Sequence, residues 1–174
     1  EPAFSPDGSK IAFRSEREGG GIYMVPALGG PARMIAPGGR RPQFSPDGNW
    51  IAYCNGVGGW GRSYIVASAG GVPRQLQSDF RVADYPIWSP DGKHVLFLGT
   101  REDRLVEESV DWWVAPLDSG PAIRTGALEI TRREKLSVGV PSAWESSGDS
   151  IVFSARSGDS TNLWRIGISP KTWK

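Results

Sequence analysis

Cysteine and histidine, on which much nucleophilic, metal and disulfide chemistry depends, are nearly missing from this sequence. Its 174 residues include one cysteine, Cys54, and one histidine, His94. No intrachain disulfide can form, and the sequence contains neither a Cys-x-x-Cys pair nor the His-Glu-x-x-His motif of a zinc-binding helix. The sequence also lacks the Gly-x-Ser-x-Gly nucleophile elbow of hydrolases. We therefore predict a chain that is not an enzyme and that uses no metal ion or other cofactor.

Long apolar runs and a strong charge of one sign are missing as well. No apolar stretch approaches the roughly 20 residues that span a bilayer, so no membrane insertion by this chain is predicted. The 20 Lys and Arg residues balance 19 Asp and Glu residues to a net charge of +1. The basic pairs Arg40-Arg41 and Arg132-Arg133 are too short to form the positive patch that binds nucleic acid. A nucleic-acid partner is therefore not expected.

Glycine and proline, in contrast, are abundant, with 23 and 14 residues respectively. Glycine costs a helix interior about 1 kcal/mol relative to alanine and proline costs about 3, so this composition excludes a helical bundle. The glycines follow no three-residue period, which excludes collagen. Eight tryptophans supply apolar surface for a core. The composition therefore predicts a turn-rich, all-β protein.

A ten-residue pattern that begins with an aromatic residue occurs four times. Its copies are residues 4–13, 44–53, 88–97 and 144–153, and their first residues are 40, 44 and 56 positions apart. A second aromatic β segment follows each copy, and in the first three units a glycine-containing turn and a final short strand come next. Four strands per unit on this period predict a β-propeller of four-stranded antiparallel blades. The blades are predicted at about residues 1–39, 40–83, 84–139 and 140–174.

The Ser-Pro-Asp-Gly segment of the pattern has the composition of a tight turn. Proline presets φ, aspartate accepts hydrogen bonds from nearby backbone amides, and glycine takes the positive φ that closes a hairpin. A shared metal site is the less favoured interpretation of the repeated aspartates, because the fourth copy has Ser147 at this position. The predicted turn residues are Asp7, Gly8, Asp47, Gly48, Asp91, Gly92 and Gly148.

The full pattern, Phe/Trp-Ser-Pro-Asp-Gly-x-x-Ile-Ala-Phe followed by Ile-Tyr-x-Val and Gly-Gly, resembles the WD-like repeat of TolB-type β-propellers. The resemblance covers essentially all 174 residues. It implies a fold found in bacterial periplasmic and sensor proteins and in the propeller domains of prolyl-oligopeptidase-like and tricorn-type peptidases. It also implies a periplasmic or extracytoplasmic location.

TolB-type propellers resemble rings of about six blades or more, whereas four units are visible in this chain. The resemblance therefore favours a partial propeller that is a fragment of a longer one. The alternatives are a natural four-blade protein and a half-propeller whose ring is completed by oligomerisation. In an open arc the outer sides of the first and last blades would be apolar. Self-association through these sides is then expected.

Propeller ligands usually bind to loops on the ring face that carries the connections between blades. The partner would be a protein or a small molecule. The third unit has two insertions, at residues 99–110 and about 125–139, for which solvated loops are the first expectation and a partner-binding protrusion is the alternative. Trp60 either contacts a ligand or folds over its own blade. For Asp79 and Asp84 a salt bridge to Arg81 or a capped loop is expected rather than acid–base catalysis. The candidate binding residues are Arg41, Trp60, Asp79, Arg81, Asp84, Tyr85, Arg101, Glu102, Arg104, Arg132 and Arg133.

Functions from different classes remain open at this point. The first is a non-catalytic binding module within a larger bacterial envelope or sensor protein. The second is the substrate-gating propeller of a prolyl-oligopeptidase-like serine peptidase whose nucleophile lies in a separate domain. A structural repeat assembly without a ligand is the third. The matching residues are those that build blades, so they do not discriminate between these functions.

Overall fold

A computed structural model describes residues 2–56, 61–102, 109–118 and 120–174 of the chain. The described residues form four antiparallel sheets, and within each sheet the strands are neighbours in chain order. We call these sheets blades 1 to 4. The predicted all-β propeller architecture is thus confirmed.

Blades 1 to 3 have four strands each and blade 4 has three within the described residues. The strands of blades 1 and 2 are β1 (Ala3–Phe4), β2 (Lys10–Ser15), β3 (Gly21–Pro26), β4 (Arg33–Pro37), β5 (Arg40–Phe44), β6 (Trp50–Asn55), β7 (Arg62–Ala67) and β8 (Arg74–Gln75). Those of blades 3 and 4 are β9 (Val82–Trp88), β10 (His94–Thr100), β11 (Asp111–Pro116), β12 (Ile123–Arg124), β13 (Val140–Trp144), β14 (Ser150–Ser157) and β15 (Ser160–Gly167). A 3₁₀ turn, Arg17–Gly19, precedes β3, and one α-helix, α1 (Ala127–Arg133), lies between β12 and β13. The described residues contain no helix with the length and apolar character that crossing a lipid bilayer requires.

The Ser-Pro-Asp-Gly segments form the hairpins between the first and second strands of the blades. In blade 1, Asp7 Oδ1 accepts hydrogen bonds from the Ser5 hydroxyl (2.6 Å) and the Ser9 backbone N–H (3.0 Å). Gly8 has the positive φ of 71° that this turn requires. Hydrogen bonds lower the pKa of Asp7 to about 2; the bond from the Ser5 hydroxyl has the largest effect and that from the Ser9 backbone N–H the next largest. The aspartate is thus an integral acceptor of the turn.

The same turn recurs in the other blades with a local substitution in blade 4. The pKa of Asp47 is lowered by the hydrogen bond from Ser45, as in blade 1. In blade 4 the Ser150 hydroxyl donates to Glu145 Oε2 (2.7 Å), and Gly148 has a φ of 78°. The turn therefore tolerates the loss of both proline and aspartate because other side chains and the glycine maintain it.

Apolar residues on the blade faces pack against neighbouring blades. Between blades 1 and 2, Ala12 and Ile22 of blade 1 belong to one buried cluster with Ile51 and Tyr53 of blade 2. Along β6 the residues alternate, because Ala52, between Ile51 and Tyr53, belongs instead to the cluster shared with blade 3. Such alternation is expected when one face of a strand meets the preceding blade and the other meets the following blade. The blade-to-blade cores therefore account for the short apolar strands after each hairpin.

The insertion at residues 125–139 differs from the expected solvated loop. It contains α1, and Ala127, Leu128 and Leu136 are buried in the cluster that joins blades 3 and 4. The indole N–H of Trp112 donates to the Gly139 carbonyl oxygen (2.9 Å). The expectation of a solvated segment was wrong because apolar residues on one face of a short helix fill the junction here.

Two arginines on the outermost strands connect neighbouring blades. Arg33 of blade 1 donates from Nη2 to the Ser68 carbonyl oxygen (2.8 Å) and from Nη1 to that of Ala69 (2.9 Å) in blade 2. Arg74 occupies the equivalent position in blade 2 and donates to the Leu117 carbonyl oxygen in blade 3 (3.0 Å). These contacts fix the outer rims of the first three blades relative to one another.

Candidate ligand-binding groove

The inner strands of the four blades lie side by side and form a concave groove. Strands β1, β5, β9 and β13 contact one another in this order. One cavity of about 350 Å³ lies where these strands begin, and one of about 460 Å³ lies at their Ser-Pro-Asp-Gly ends. We call these the loop end and the hairpin end. Gln43, Ile87 and Ser142 line both cavities, so the two form a continuous groove.

The hairpin end of the groove is aromatic. Its lining includes the first residue of each repeat copy and three turn prolines, namely Phe4, Phe44, Trp88, Trp144, Pro6, Pro46 and Pro90. The Trp88 indole N–H donates to the Gln43 carbonyl oxygen (3.0 Å), and that of Trp144 donates to the Gly148 carbonyl oxygen (3.2 Å). Because both indole donors are already bonded, this end offers a ligand mainly apolar and aromatic contact.

The loop end carries a stacked pair, Arg41 and Tyr85. The guanidinium carbon of Arg41 lies 4.2 Å from the centre of the Tyr85 ring, a cation–π contact. Both residues have left-handed backbone conformations, with φ of 53° and 55°, and each directly precedes a proline. Non-glycine residues rarely adopt this conformation, and strained backbone of this kind clusters at functional sites. Its occurrence at the same position of two neighbouring inner strands marks the loop end as the candidate site.

Asp84 supports this pair from a buried position. It is 3% exposed, and its Oδ1 accepts a hydrogen bond from the Tyr85 backbone N–H (2.8 Å) and lies 4.0 Å from Arg41 Nη1. Gly61 packs directly against it, since a Cβ at Gly61 would lie 2.7 Å from the Asp84 carboxyl carbon. The carboxylate therefore holds the backbone of Tyr85 and faces the guanidinium that stacks on its ring.

A buried thiol, Cys54, lies beside Asp84 at the loop end. Burial, and to a smaller extent the charge of Asp84, raises the pKa of the Cys54 thiol to about 12. The thiol is therefore neutral at physiological pH. A neutral, buried thiol is a poor nucleophile. Within the described ranges, no group of three or more His, Cys, Asp or Glu side chains is arranged to hold a metal ion. The side chains that line this end are the Arg41 cation, the Tyr85 ring, the polar Gln43 and Ser142, and apolar residues.

Prolines interrupt the inner strands at the loop end. Pro42, Pro86 and Pro141 line this cavity, and the pairing of each of their strands is irregular there. Proline has no backbone N–H and occurs in sheets mainly at edges and bulges. A regular ladder of hydrogen bonds to an added strand is therefore disfavoured, and the groove favours recognition through side chains.

The structure brings together three of the predicted binding residues, Arg41, Asp84 and Tyr85. Asp79 instead pairs with Arg101, whose Nε lies 2.7 Å from the Asp79 Oδ2. Asp79 thus forms a salt bridge, but with Arg101, which follows β10, whereas the sequence predicted Arg81 as the partner.

The remaining predicted residues lie away from the groove or outside the described ranges. The Arg101 guanidinium lies over the rings of Phe80 (4.2 Å) and Trp113 (4.6 Å), so it anchors the start of the insertion to its blade. Arg81 and Glu102 are exposed, and Arg132 and Arg133 are on α1. Trp60 and Arg104 lie outside the described residues.

A separate cavity of about 510 Å³ lies beside α1 and β12. Asp111, one of the two carboxylates that line it, is 1% exposed. Asp111 Oδ2 accepts a hydrogen bond from Arg124 Nε (2.8 Å), and Oδ1 accepts one from the Leu128 backbone N–H (3.2 Å). Asp111 therefore joins α1 to blade 3, and we interpret this cavity as a consequence of that packing.

Sequence reasoning missed most of the inner-strand residues that line the groove. The missed residues include Pro2, Gln43, Ile87 and Ser142. A signal was present, because a proline lies two residues before the first aromatic residue in three of the four copies, at Pro2, Pro42 and Pro86. Recurrence of proline at one inner-strand position indicates an edge that does not pair with another strand.

Three comparisons with known proteins agree with this architecture. The family model of the TolB beta propeller domain matches residues 1–112. An uncharacterized protein of Agrobacterium fabrum is 27% identical over 175 residues, which cover 96% of this chain and 54% of that protein. An uncharacterized peptidase of Bacillus subtilis, YuxL, is 28% identical over 107 residues, which cover 55% of this chain and 16% of the peptidase.

The crystal structure of TolB from Acinetobacter baumannii has the same fold. The two structures match with a TM-score of 0.71 at 22% identity, over 96% of this chain and 40% of that TolB chain. This chain spans about half, or less, of the length of the relatives that it matches. Since the family model covers well over half of the 174 residues, the chain belongs to the TolB β-propeller family.

Proposed function

We propose that this chain is the non-catalytic, ligand-binding part of a TolB-type propeller, and that its groove binds an extended segment of a protein partner. The observation that carries this proposal is the Arg41–Tyr85 pair, held in left-handed backbone conformations at the loop end. The polar loop end and the aromatic hairpin end lie on one continuous surface. A ligand that touches both ends must therefore combine a polar and an apolar group.

The size of the groove fits a short peptide segment. Strand β5, which forms part of its wall, has five residues, and a strand rises about 3.3 Å per residue. The groove therefore extends for about 16 Å, the length of about five extended residues. An acidic side chain or a backbone carbonyl would lie near Arg41, and an apolar side chain would lie among the aromatic residues at the hairpin end.

A peptide selection tests this proposal because it requires no identified partner. A random peptide library displayed on phage is selected against the immobilised 174-residue chain, and the affinities of selected peptides are measured by calorimetry. Arg41→Ala removes the cation and its contact with Tyr85. A hydrogen bond to a charged group contributes about 1.5–3 kcal/mol, so loss of the bond between this cation and the peptide should raise the Kd roughly tenfold or more.

Arg133→Ala is the matched control because it also removes one positive charge. Arg133 lies on α1 and pairs with Glu129 at 2.6 Å, away from the groove. We expect this variant to bind the peptides as the unmodified chain does. Selected peptides whose affinity is unchanged by Arg41→Ala and Tyr85→Ala would contradict the proposal.

A propeller domain of a serine peptidase is the second candidate. The similarity to the B. subtilis peptidase YuxL favours it. In this case the groove would contact the substrate, and the catalytic serine would lie elsewhere in the full-length protein. Hydrolysis of chromogenic peptides by the full-length protein, blocked by a serine-directed fluorophosphonate, would support this candidate over the first.

A periplasmic or other extracytoplasmic location fits both candidates and is part of the proposal. Its support is membership of the TolB family. Cell fractionation with an antibody against the chain tests it, and recovery of the full-length protein from the cytoplasm alone would contradict it.

A further inference from the structure

Two strands that line the groove repeat one spacing between its ends. On β5, Arg41 at the loop end is followed three residues later by Phe44 at the hairpin end. On β9, Tyr85 and Trp88 have the same separation. A strand rises about 3.3 Å per residue, so the loop-end and hairpin-end positions lie about 10 Å apart on both strands. A ligand that fits both strands therefore presents its matching groups about 10 Å apart.

The charge of the groove is concentrated at one point. Among the described residues that line the two cavities, Arg41 is the only charged one, and its side chain is 30% exposed. The nearby Asp84 carboxylate is buried and lines neither cavity. A ligand thus meets a positive charge at the loop end, and a carboxylate is the complementary group.

Aromatic rings are accessible at the hairpin end. Phe4 is 63% exposed, and Phe44 and Trp144 are half-buried. These rings offer flat, apolar faces to a ligand. A proline side chain loses almost no rotamer freedom when it packs on such a face, whereas longer side chains lose more. The hairpin end therefore favours proline as the apolar group of the ligand.

The backbone conformation of the ligand follows from the prolines of the groove. Pro42, Pro86 and Pro141 disfavour a ladder of backbone hydrogen bonds to an added strand. A polyproline II segment requires no such ladder, has three residues per turn and rises about 3.1 Å per residue. Its residues i and i+3 thus face the same side at about 9 Å, close to the spacing of the groove. In a β-strand, residues i and i+3 face opposite sides.

Gln43 supplies a polar group between the two ends. It lines both cavities and is exposed. Its side-chain amide makes no hydrogen bond to any other residue that the structure describes. A polyproline II segment has no internal hydrogen bonds, so its backbone carbonyls are open to donors such as this amide.

We propose that the groove recognises a proline-rich segment in the polyproline II conformation, with an acidic residue and a proline three positions apart. The acidic side chain pairs with Arg41, the proline packs on the rings of the hairpin end, and the Gln43 amide donates to a carbonyl oxygen between them. This inference rests on the proposed function, because it names the class of peptide that the groove binds.

Synthetic peptides test the proposal by calorimetry with the 174-residue chain. The probe is a capped nine-residue peptide of prolines with glutamate at its fourth position. One comparison peptide has glutamine in place of the glutamate, and the other has glycine and serine in place of the prolines. We expect the Kd of each to be about tenfold higher or more, because the first lacks the carboxylate and the second must be ordered on binding. Equal affinities of the proline and glycine–serine peptides, or no binding of the probe, would overturn the proposal.

Gln43→Ala tests the binding mode within the groove. We expect it to raise the Kd of the probe by about threefold to tenfold, the effect of one hydrogen bond. Gln75→Ala is the matched control, since Gln75 lies on the outermost strand β8 of the same blade. We expect this variant to bind the probe as the unmodified chain does. Equal affinities of the two variants would overturn the binding mode.

The phage selection separates this inference from the proposed function. Selected peptides that lose affinity with Arg41→Ala and carry a proline three positions from an acidic residue support the inference. Peptides that lose affinity with Arg41→Ala but lack this pattern leave the proposed function standing and overturn the inference. Peptides that neither Arg41→Ala nor Tyr85→Ala affects contradict the proposed function, and the inference with it.

Discussion

Ile11 and Ile51 hold the same position after the hairpins of blades 1 and 2, but replacing each with alanine should reduce the stability of the chain by very different amounts. Replacing isoleucine with alanine removes three carbons, each worth about 0.8 kcal/mol when fully buried, or about 2.4 kcal/mol in total. Ile51 is 0% exposed, and the cavity left behind raises the expected cost to about 3–4 kcal/mol. Ile11 is half-buried and open to water, so no closed cavity forms and the cost should be about 1 kcal/mol.

Calorimetry and urea unfolding followed by tryptophan fluorescence measure these costs. In a chain of this size 1 kcal/mol shifts the Tm by about 2–4 °C, so Ile51→Ala should lower the Tm by roughly 10 °C and Ile11→Ala by roughly 3 °C. Ile151→Ala, at another position that is 0% exposed, is the matched control and should behave as Ile51→Ala does. Equal losses for Ile11→Ala and Ile51→Ala would refute the reasoning that a preceding blade creates the burial.

Three further predictions concern single residues. Cys54, with a pKa raised to about 12 by burial, should react with a thiol reagent at about pH 8 only when urea unfolds the chain; rapid labelling of the folded chain would contradict this. Asp7 has a folded pKa of about 2 against an ordinary 3.8, so its contribution to stability should be complete above about pH 4 and lost as the pH falls towards 2. Asp7→Asn should therefore reduce the fall of the urea midpoint between about pH 4 and pH 2. An unchanged fall would contradict the claim that the hydrogen bonds of the turn lower the pKa of Asp7. Arg33→Ala should cost about 1 kcal/mol by breaking the two bonds to blade 2, and Arg33→Lys should recover only part of it, as urea unfolding would show.

The blades could be predicted from the repeats because the turns and strands of each blade have a local cause in the sequence. Gly8 and Gly48 supply the positive φ of their hairpins, and the apolar residues after Gly48 mark a strand that is covered on both faces. The segment around α1 was not predictable in the same way. Leu128 is buried because blades 3 and 4 leave a space for it, and that space arises only when the sheets pack.

The groove was predictable only in part for a similar reason. The loops pointed to Arg41, Asp84 and Tyr85, but their contact depends on the alignment of β5 with β9 in neighbouring blades. Residues 44 positions apart in the chain become neighbours there. Gln43 offered no local signal, since its importance comes from its position between the two ends of the groove.

The central claim, that the groove between the inner strands is the binding surface, is tested most directly by NMR. A ¹⁵N-labelled sample of the 174-residue chain is titrated with a peptide from the selection. The account predicts that the largest amide shift changes occur at Arg41, Gln43, Tyr85 and Ser142, along the inner strands. Changes confined to α1 or to the Asp79–Arg101 pair, with the inner strands unaffected, would contradict it.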